Sequence, residues 1–474
     1  MSLKISVIGA GPGGYVAAIR AAQSGAEVTL VEKEALGGTC LNWGCIPSKV
    51  MVSAATAMRQ IRHAALSGIH LETPPVLDMK ALQKKQQTVI ATQQKGIDAL
   101  LRHNRVQLIS GDARIEGKGL LSVRHQDGKK TSLSWDRLII ATGTVPAGLP
   151  KISTDGIQCL SSNDFLRMAS LPPSALIIGA GVVGCEFASI LSGLGAKVDL
   201  VEMADRILPL PDLDASASRL LAREFKKQKI GIHTSSSILD LEKNADGIRV
   251  NLKKNSPATE NHEKMESIGA ACLVLCVGRK PNTLNLGLDS LHLHPDARGY
   301  LPVNDAMETA CPGVFAIGDV TGPERIMLAH VASAEAEVAV ANAMGQRKTM
   351  GYTAIPSAVF TEPEVAFVGL SAERARERGF RVKTTSVLMR SLGKAHATGQ
   401  LGGEAVFVTE EKSEKILGCH LVGAHATELL AEATLAISKN LTLRDMAGTI
   451  HAHPTFSEIF YEMACKGMGQ GLHG

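Results

Sequence analysis

The 474-residue chain has few aromatic side chains: 10 Phe, 4 Tyr and 2 Trp make up only 3% of it. It also lacks a strong charge of either sign, since 50 Lys and Arg face 46 Asp and Glu, for a net charge of +4. So small an imbalance excludes charge-driven binding to nucleic acid or to a membrane surface as the main activity. No run of 18 uncharged apolar residues is present, so the sequence predicts no membrane span.

A disulfide framework is lacking too, because the nine cysteines are odd in number and mostly scattered through apolar segments. We therefore expect a reducing compartment: the cytoplasm or, for a processed form, the mitochondrial matrix. Ser2–Ile8 already has the pattern of a first strand, which leaves no room for a signal peptide. At roughly 150 residues per domain, the length predicts about three domains.

Glycine, with 46 residues, is abundant, and its placement shows an internal repeat. Shifting the chain by 170 positions places Gly9-x-Gly11-x-x-Gly14 on the motif at 179–184. The match continues without a gap to Glu32 on Glu202, with twelve of the 25 positions from 8 to 32 identical. Two copies of one strand, turn, helix and strand unit are therefore predicted.

Each copy has the pattern of a dinucleotide-binding unit. The first glycine permits a tight turn, the second lets a pyrophosphate approach the backbone, and the third allows close packing of helix on strand. The helix N-terminus favours phosphate, and the closing acids, Glu32 and Glu202, are placed to accept hydrogen bonds from ribose hydroxyls. Glu202 also favours NAD over NADP, because a carboxylate repels a 2'-phosphate. Arg206 could weaken that preference, and its alternative is a structural arginine.

Later segments extend the architecture. The apolar stretches Leu138–Gly143 and Leu273–Gly278 predict returning strands of the two nucleotide-binding sheets. The polar segment Lys253–Lys264 predicts an exposed hairpin loop. From about Tyr352 the pattern changes to a third domain, with strands and a helix predicted at Ala358–Phe360, Glu364–Val368, Glu404–Thr409 and Ala426–Lys439. The fold class is therefore α/β, with two Rossmann-like domains and a C-terminal α+β domain.

A cysteine pair lies just after the first unit, in the string GGTCLNWGCIPSK. Cys40 and Cys45 are five apart and could form a redox-active disulfide, with a helix N-terminus favouring the thiolate of either. The alternatives are two buried cysteines or half of a zinc site. No second Cys or His pair stands at zinc spacing, so we predict no metal.

The chain resembles the flavin-dependent pyridine nucleotide-disulfide oxidoreductases over essentially its whole length. The resemblance is carried by GGTCLNWGCIPSK, by the duplicated glycine motif, by Ala316-Ile317-Gly318-Asp319 and by the near-terminal HAHPTxxE. Trp43 departs from the valine that many relatives carry, and its effect on the reactive pair is not predictable from the sequence. Within the family the chain is most similar to members that oxidise dihydrolipoamide with NAD.

The resemblance implies two cofactors, FAD and NAD. The residues it assigns to FAD are Gly9, Gly11, Gly14, Glu32, Gly38, Thr39, Lys49, Ala113, Thr142, Gly143, Asp319 and Ala329. Those it assigns to NAD are Gly179, Gly181, Gly184, Glu186, Glu202 and Gly278. It also implies that Cys45 is the charge-transfer thiol against the flavin and that Cys40 exchanges with substrate. Lys49 is expected to lie near the reactive face of the flavin, paired with Glu186, and to act in catalysis by tuning the flavin electrostatically.

His453 is the general acid/base that the resemblance implies, with Glu458 as the carboxylate that orients it. A histidine titrating near neutrality can take the proton of a thiol that attacks a disulfide. The same residues offer a structural interpretation, since Thr455 and Glu458 have the spacing of a capping box before the amphipathic stretch Ile459–Lys466. Both roles are compatible if different carboxylate oxygens serve them. His451 is expected to have a supporting role.

The activity implied is oxidation of protein-bound dihydrolipoamide, as the third component of 2-oxo acid dehydrogenase complexes or of glycine cleavage. The expected partners are a second copy of the chain and a lipoyl-bearing acyltransferase or carrier protein. Alternatives are a glutathione- or mercuric-reductase-like enzyme and a non-catalytic redox sensor. The expected domains are FAD-binding (1–147), NAD-binding (148–280), a return segment to the FAD domain (281–344) and an interface domain (345–474).

Overall fold

The structure, a computed structural model, describes residues 2–254 and 265–473. Its strands are β1 Lys4–Ile8, β2 Glu27–Glu32, β3 Gln107–Ser110, β4 Asp112–Gly117, β5 Leu120–Arg124, β6 Lys130–Ser134, β7 Arg137–Ile140, β8 Thr144–Pro146, β9 Cys159–Ser161, β10 Ser174–Ile178, β11 Lys197–Val201, β12 Gly231–His233, β13 Ser236–Asn244, β14 Gly247–Lys254, β15 Met265–Ala270, β16 Cys272–Leu275, β17 Arg279–Pro281, β18 Val314–Ala316, β19 Ser357–Val359, β20 Glu364–Gly369, β21 Val382–Leu388, β22 Glu404–Glu410 and β23 Ile416–Gly423.

The helices are α1 Pro12–Gln23, α2 Gly38–Trp43, α3 Cys45–Arg62, α4 Met79–His103, α5 Ser162–Phe165, α6 Val182–Leu194, α7 Ala215–Lys227, α8 Ala329–Ala343, α9 Ala372–Glu377, α10 Gly393–Thr398, α11 Ala426–Ser438, α12 Leu443–Ala447 and α13 Glu458–Gly467. None of these helices, within the described ranges, is long and apolar enough to cross a bilayer. The predicted hairpin loop at Lys253–Lys264 lies outside the described residues, except for its first two positions at the end of β14.

The first compact unit contains Met1–Val50, Lys80–Ala147 and Gly278–Tyr352. Its parallel sheet has the strand order β18–β7–β1–β2–β3. Ile5 and Val7 on β1 enter the core shared with α1 and α8, whereas Ile8 enters a second core on the opposite face. Burial on both faces explains why these strands are nearly continuous apolar runs. The predicted returning strand is β7, which pairs in parallel with β1.

The second compact unit contains Met51–Met79, Gly148–Val277 and Thr353–Gly474. Its parallel sheet repeats the first arrangement in the order β12–β11–β10–β16–β9, and the predicted strand after residue 272 is β16. An antiparallel sheet follows in the order β19–β20–β23–β22–β21, with a core shared with α11 and α13. The predicted fold class is confirmed, and the predicted strands are present, but the two returning strands end at Ile140 and Leu275, three residues before the predicted Gly143 and Gly278. The four-part domain division stays a prediction, and the units group 51–79 with the second unit.

Candidate functional site

The turn between β1 and α1 forms a cradle of backbone. Gly9 has φ +97°, and a Cβ there would collide with the carbonyl oxygen of Ala141. A Cβ on Gly14 would collide with the carbonyl oxygen of Gly9. By contrast, the closest atom to a Cβ on Gly11 would be the Cα of Gly38 at 3.9 Å, an ordinary contact. Packing therefore requires the first and third glycines, and the middle one keeps the turn open for a ligand's close approach.

The turn between β10 and α6 repeats this geometry. Gly179 has φ +98°, and a Cβ there would collide with the carbonyl oxygen of Cys276, while one on Gly184 would collide with Gly179. A Cβ on Gly181 would meet nothing within 4 Å among the described residues. The match in φ and in the colliding atoms shows that the sequence repeat is a repeat of structure.

Each closing acid holds its own cradle together. Oε2 of Glu32 accepts the N–H of Ala10 at 2.6 Å, and Oε2 of Glu202 accepts that of Ala180 at 2.7 Å. The other oxygen of each acid accepts the N–H two residues further along, at 2.8 and 2.9 Å. No pattern in the sequence indicated this structural role. A carboxylate has about four acceptor positions, so each acid keeps capacity for a ribose hydroxyl.

Arg206 makes a structural contact with the backbone of its own loop, as in the second of the two interpretations of this residue. Its Nη2 donates to the carbonyl oxygen of Leu210 at 3.3 Å, within the loop after β11. One guanidinium nitrogen is therefore occupied by the chain itself, and the preference for NAD over NADP stays a prediction.

A buried hydroxyl next to the first cradle supports the fit of a cofactor there. Oγ1 of Thr142 is buried and has no hydrogen-bond partner among residues 2–254 and 265–473. Asn282 fixes the backbone of Thr142 and Gly143, since its Nδ2 donates to the Thr142 carbonyl and its N–H to the Gly143 carbonyl. Buried polar groups normally have partners. A bound group that supplies one fits this position.

Asp319 belongs to a polar network that the sequence analysis missed. Thr144 donates its hydroxyl to Asp319 at 2.8 Å, and Nε of Arg279 donates to the same hydroxyl at 2.6 Å. Nη2 of Arg279 also contacts Thr39 at 3.4 Å, beside the first cysteine. Burial lowers the pKa of Arg279, while the charges of Asp319 and Cys45 oppose that shift. The network connects the AIGD segment to the cysteine segment.

The two cysteines lie at the junction of two helices. Cys40 is in α2 and Cys45 begins α3. Gly44 lies between the two helices, at a position where a Cβ would be only 3.0 Å from the carbonyl oxygen of Thr39. Neither forms a disulfide within the described residues; Cys40 is half-buried and Cys45 exposed. A hydrogen bond to Cys45 and burial raise the pKa of the Cys40 thiol, while the positive charge of Lys49 counters the rise. The pair is therefore in contact.

Several predicted residues have other contacts. The Lys49 ammonium lies 3.4 Å from the Ser48 hydroxyl, and buried Glu186 accepts the N–H of Phe360 at 3.0 Å. The predicted pairing of Lys49 with Glu186 stays a prediction. Ala113 is buried in the second core of the first unit, Ala329 begins α8, and the carbonyl of Gly278 accepts the N–H of Ala147.

His453 and Glu458 are in direct contact in the second unit. Nδ1 of His453 lies 2.8 Å from Oε1 of Glu458, while Oε2 accepts the N–H of Thr455 at 2.9 Å. The two oxygens thus serve the two predicted roles separately. Partial burial would raise the pKa of Glu458, but the hydrogen bonds from Thr455 and His453 outweigh it and lower the pKa. The imidazole is 76% exposed, so Nε2 is open to a reactant.

The capping-box prediction was only half right. Glu458 does reach back to the Thr455 N–H, but the Thr455 hydroxyl donates to the carbonyl of Ala452 at 2.7 Å and contacts Ser457. Helix α13 begins at Glu458, after Ser457, so Thr455 lies two residues before its N-cap. The hydroxyl half of the box is missing, because the N-cap is Ser457 and it makes no side-chain cap hydrogen bond.

His451 has a carboxylate of its own. Nε2 lies 2.8 Å from Oε1 of Glu432, Nδ1 lies 3.1 Å from the carbonyl oxygen of Thr449, and the side chain is 6% exposed. Both ring nitrogens are in use and the ring is buried, so the supporting role of His451 stays a prediction that these contacts favour.

The predicted residues divide between the units. The first unit holds Gly9, Gly11, Gly14, Glu32, Gly38, Thr39, Cys40, Cys45, Lys49, Ala113, Thr142, Gly143, Gly278, Asp319 and Ala329, and the second holds Gly179, Gly181, Gly184, Glu186, Glu202, His453 and Glu458. Among the described residues, no group of three or more His, Cys, Asp or Glu is arranged to hold a metal ion.

Two dinucleotide cradles, a pair of contacting thiols and a His–Glu dyad define an oxidoreductase of the disulfide-exchanging class. The family model described as pyridine nucleotide-disulphide oxidoreductase matches residues 3–336, and the dimerisation domain of the same family matches residues 355–464. The chain belongs to the pyridine nucleotide-disulphide oxidoreductase family. Dihydrolipoyl dehydrogenases within this family use FAD and NAD.

Relatives match over nearly the full chain. The dihydrolipoyl dehydrogenase of Chlamydia pneumoniae is 38% identical over 98% of this chain and 97% of its own length. Dihydrolipoyl dehydrogenase 2 of Haloarcula marismortui is 39% identical over 99% and 98%, respectively. The crystal structure of LpdA from Mycobacterium tuberculosis has a TM-score of 0.89 at 25% identity, covering 98% of this chain and 99% of that one.

A further structural likeness concerns the fold alone. RclA, an HOCl-induced flavoprotein disulfide reductase from Escherichia coli, has a TM-score of 0.84 at 22% identity, covering 97% of this chain and 99% of that one.

Proposed function

We propose that this chain is a dihydrolipoyl dehydrogenase, which oxidises a dihydrolipoyl dithiol to the cyclic disulfide with NAD as the final acceptor. The observation that carries the proposal is the contact between the thiols of Cys40 and Cys45. Relatives of that name match 98% or more of the chain at 35–39% identity, which supports the substrate.

The chemistry begins with the oxidised pair. One sulfur of the substrate attacks the sulfur of Cys40, and Cys45 leaves as a thiolate. The second substrate thiol then attacks the mixed disulfide, which releases the substrate disulfide and leaves the dithiol of Cys40 and Cys45. The substrate loses two electrons and the cysteine pair gains them, while His453 accepts the proton that an attacking thiol releases.

Glu458 supports the proton transfer, because a carboxylate on Nδ1 stabilises the imidazolium and leaves Nε2 to face the thiol. Lys49 places a positive charge near Cys40, which favours thiolate in the pair. FAD, which the residues of the first cradle would hold, would supply the two-electron chemistry that links the dithiol to NAD.

The cofactor assignments follow the two cradles. We assign Gly9, Gly11, Gly14 and Glu32 to the ADP half of FAD and Gly179, Gly181, Gly184 and Glu202 to NAD. The unpartnered hydroxyl of Thr142, together with Gly143, Asp319 and Ala329, supports the assignment of the rest of the flavin site.

We also assign a homodimeric state and a lipoyl-bearing partner protein. The match of 355–464 to a dimerisation domain supports the first, and the names of the relatives support the second. His453 and Glu458 lie in that matched segment, and we assign them to the site of the partner subunit. A cytoplasmic location agrees with this role.

The test is steady-state oxidation of dihydrolipoamide with NAD by the purified holoenzyme and by the variants Cys40→Ser, Cys45→Ser and His453→Gln. Either serine variant should abolish the reaction, and His453→Gln should lower kcat by at least about 10²-fold, the lower end for general acid/base catalysis. Cys311→Ser, a half-buried cysteine elsewhere in the first unit, is the matched control and should keep its activity.

Reduction of glutathione disulfide by NADPH, measured with the same preparations, separates the alternatives. Activity with glutathione disulfide and none with dihydrolipoamide would refute the proposed substrate while leaving the family unchanged. Retained dihydrolipoamide activity in Cys40→Ser would refute the role of the pair.

A further inference from the structure

Helix α4 lies along the cysteine segment and contacts it through two glutamines. The helix runs for 25 residues, about 37 Å, and is the longest in the described ranges. Gln86 is 7% exposed and Gln94 is half-buried, whereas their neighbours Gln87 and Gln93 are exposed. Eight residues separate the two inward glutamines, about 12 Å along the helix axis.

Gln94 contacts the helix that carries Cys40. Its Nε2 donates to Oδ1 of Asn42 in α2 at 2.7 Å. The Nδ2 of Asn42 donates in turn to the carbonyl oxygens of Leu36 and Gly38, both at 2.9 Å. Asn42 therefore fixes the start of α2, and its own orientation depends on Gln94, because only the amide oxygen can accept from that donor.

Gln86 contacts the helix that carries Cys45. Its Nε2 donates to the carbonyl oxygen of Pro47 at 3.1 Å. Pro47 is in the first turn of α3, two residues after the cysteine. This hydrogen bond is buried. Without the Gln86 amide, the buried carbonyl oxygen of Pro47 would lose this donor.

We propose that α4 is a brace for the redox pair, and that Gln86 and Gln94 are positioning residues that hold α2 and α3 where Cys40 and Cys45 can bond. Neither glutamine is assigned a contact with substrate or cofactor. The proposal rests on the proposed function only in taking the cysteine pair to be redox-active. It concerns the pair's dithiol–disulfide equilibrium and is independent of the substrate.

The ordering of α2 and α3 determines the direction in which the dithiol–disulfide equilibrium should shift. A disulfide requires the two Cβ atoms about 3.5–4.5 Å apart, with a restricted torsion about the S–S bond. Two helices held in place keep the sulfurs near that geometry, whereas loosened helices must be ordered again when the bond forms. Loss of the brace should therefore weaken the disulfide relative to the dithiol.

The experiment is thiol–disulfide exchange with glutathione. Forming the Cys40–Cys45 bond removes two electrons and two protons from the thiols, and glutathione disulfide takes them up to become two glutathione molecules. The holoenzyme is equilibrated anaerobically in buffers of graded glutathione ratio and then alkylated. Trypsin releases 34–49 as one peptide with both cysteines, because Lys33 and Lys49 flank it, so the mass of that peptide reports the oxidised fraction.

Gln94→Leu should shift the equilibrium constant toward the dithiol by about tenfold, which is about 30 mV for a two-electron couple. Gln86→Leu should shift it in the same direction. Gln93→Leu and Gln87→Leu make the same change on the exposed face and should leave the constant unchanged. Gln94→Glu has nearly the same shape but no amide donor, and it tests the bond if the leucine variant fails to fold.

A double variant separates positioning from general loosening. If Gln94 acts through Asn42, Gln94→Leu should have little further effect in an Asn42→Ala background, whereas independent effects would add. The brace is refuted if the inward and outward variants share one equilibrium constant, or if the inward variants strengthen the disulfide. Since glutathione replaces the substrate, failure of dihydrolipoamide turnover would leave this result intact.

Discussion

The His453–Glu458 dyad allows the sharpest test of the catalytic assignment, through the substitution Glu458→Gln. The carboxylate serves two donors, one on each oxygen: His453 at 2.8 Å and the N–H of Thr455 at 2.9 Å. Glutamine offers one oxygen and one NH₂ group. It can accept from the imidazole or from the backbone but not from both, and it carries no charge.

The size of the effect follows from the loss of charge. A hydrogen bond to a charged group contributes about 1.5–3 kcal/mol, against about 1 kcal/mol for a neutral pair. The imidazolium therefore loses about 1 kcal/mol of stabilisation, and solvent screening at the exposed His453 keeps the loss at the low end. Because about 1.4 kcal/mol corresponds to a factor of ten, we expect kcat to fall about fivefold.

Glu432→Gln is the matched control, because Glu432 contacts the neighbouring His451 in the same way, at 2.8 Å. Steady-state oxidation of dihydrolipoamide at saturating NAD should show the loss in Glu458→Gln and only a small change in Glu432→Gln. Reduction of an artificial acceptor by NADH needs no proton transfer from a thiol and should be unchanged in both. A larger loss in Glu432→Gln would move the acid/base role to His451 and refute the assignment.

The remaining predictions concern stability and cofactor binding. Burial lowers the pKa of His420, so the unfolded chain binds more protons below the ordinary value of about 6.5. The midpoint temperature of thermal unfolding should therefore decrease as the pH is lowered from 7.5 to 5.5. The decrease should be smaller in His420→Gln. Gly181→Ala meets no atom within 4 Å and should fold but bind NADH at least about tenfold more weakly by fluorescence titration, whereas Gly184→Ala should unfold at lower temperature. Tyr352→Phe removes the hydroxyl that donates to buried Glu335 at 2.6 Å, and urea unfolding should show a loss of about 1–3 kcal/mol.

The sequence predicted those features whose physical cause is local. The glycines at 9 and 14 are required by atoms of the same turn and its neighbouring strand, so their spacing alone indicated the cradle. The repeat at a shift of 170 reappears as the same strand pairing, since β1 pairs with β2 and β7 as β10 pairs with β11 and β16. The contact of His453 with Glu458 was expected from the family resemblance of the HPTxxE segment, and the two residues are only five positions apart.

Features that depend on distant segments were not predictable in this way. The network of Arg279, Thr144 and Asp319 joins residues 135 and 175 positions apart, and no spacing marks them as partners. The stretch predicted at Ile459–Lys466 agrees with α13, but the Thr455 hydroxyl of the predicted capping box instead contacts the carbonyl of Ala452, which only the folded turn brings within reach.

The α4 brace shows the same distinction within one site. The cysteine segment specifies which atoms can react, since both sulfurs and the helix break at Gly44 lie within six residues. The distance between the two sulfurs depends on side chains from a distant segment. Gln86 contacts Pro47, 39 positions earlier, and Gln94 contacts Asn42, 52 positions earlier. The reactive sulfurs thus come from the cysteine segment, whereas the residues that position them come from α4, another part of the first unit. A substitution on α4 can therefore change the equilibrium of the pair while every residue of the reactive string stays the same.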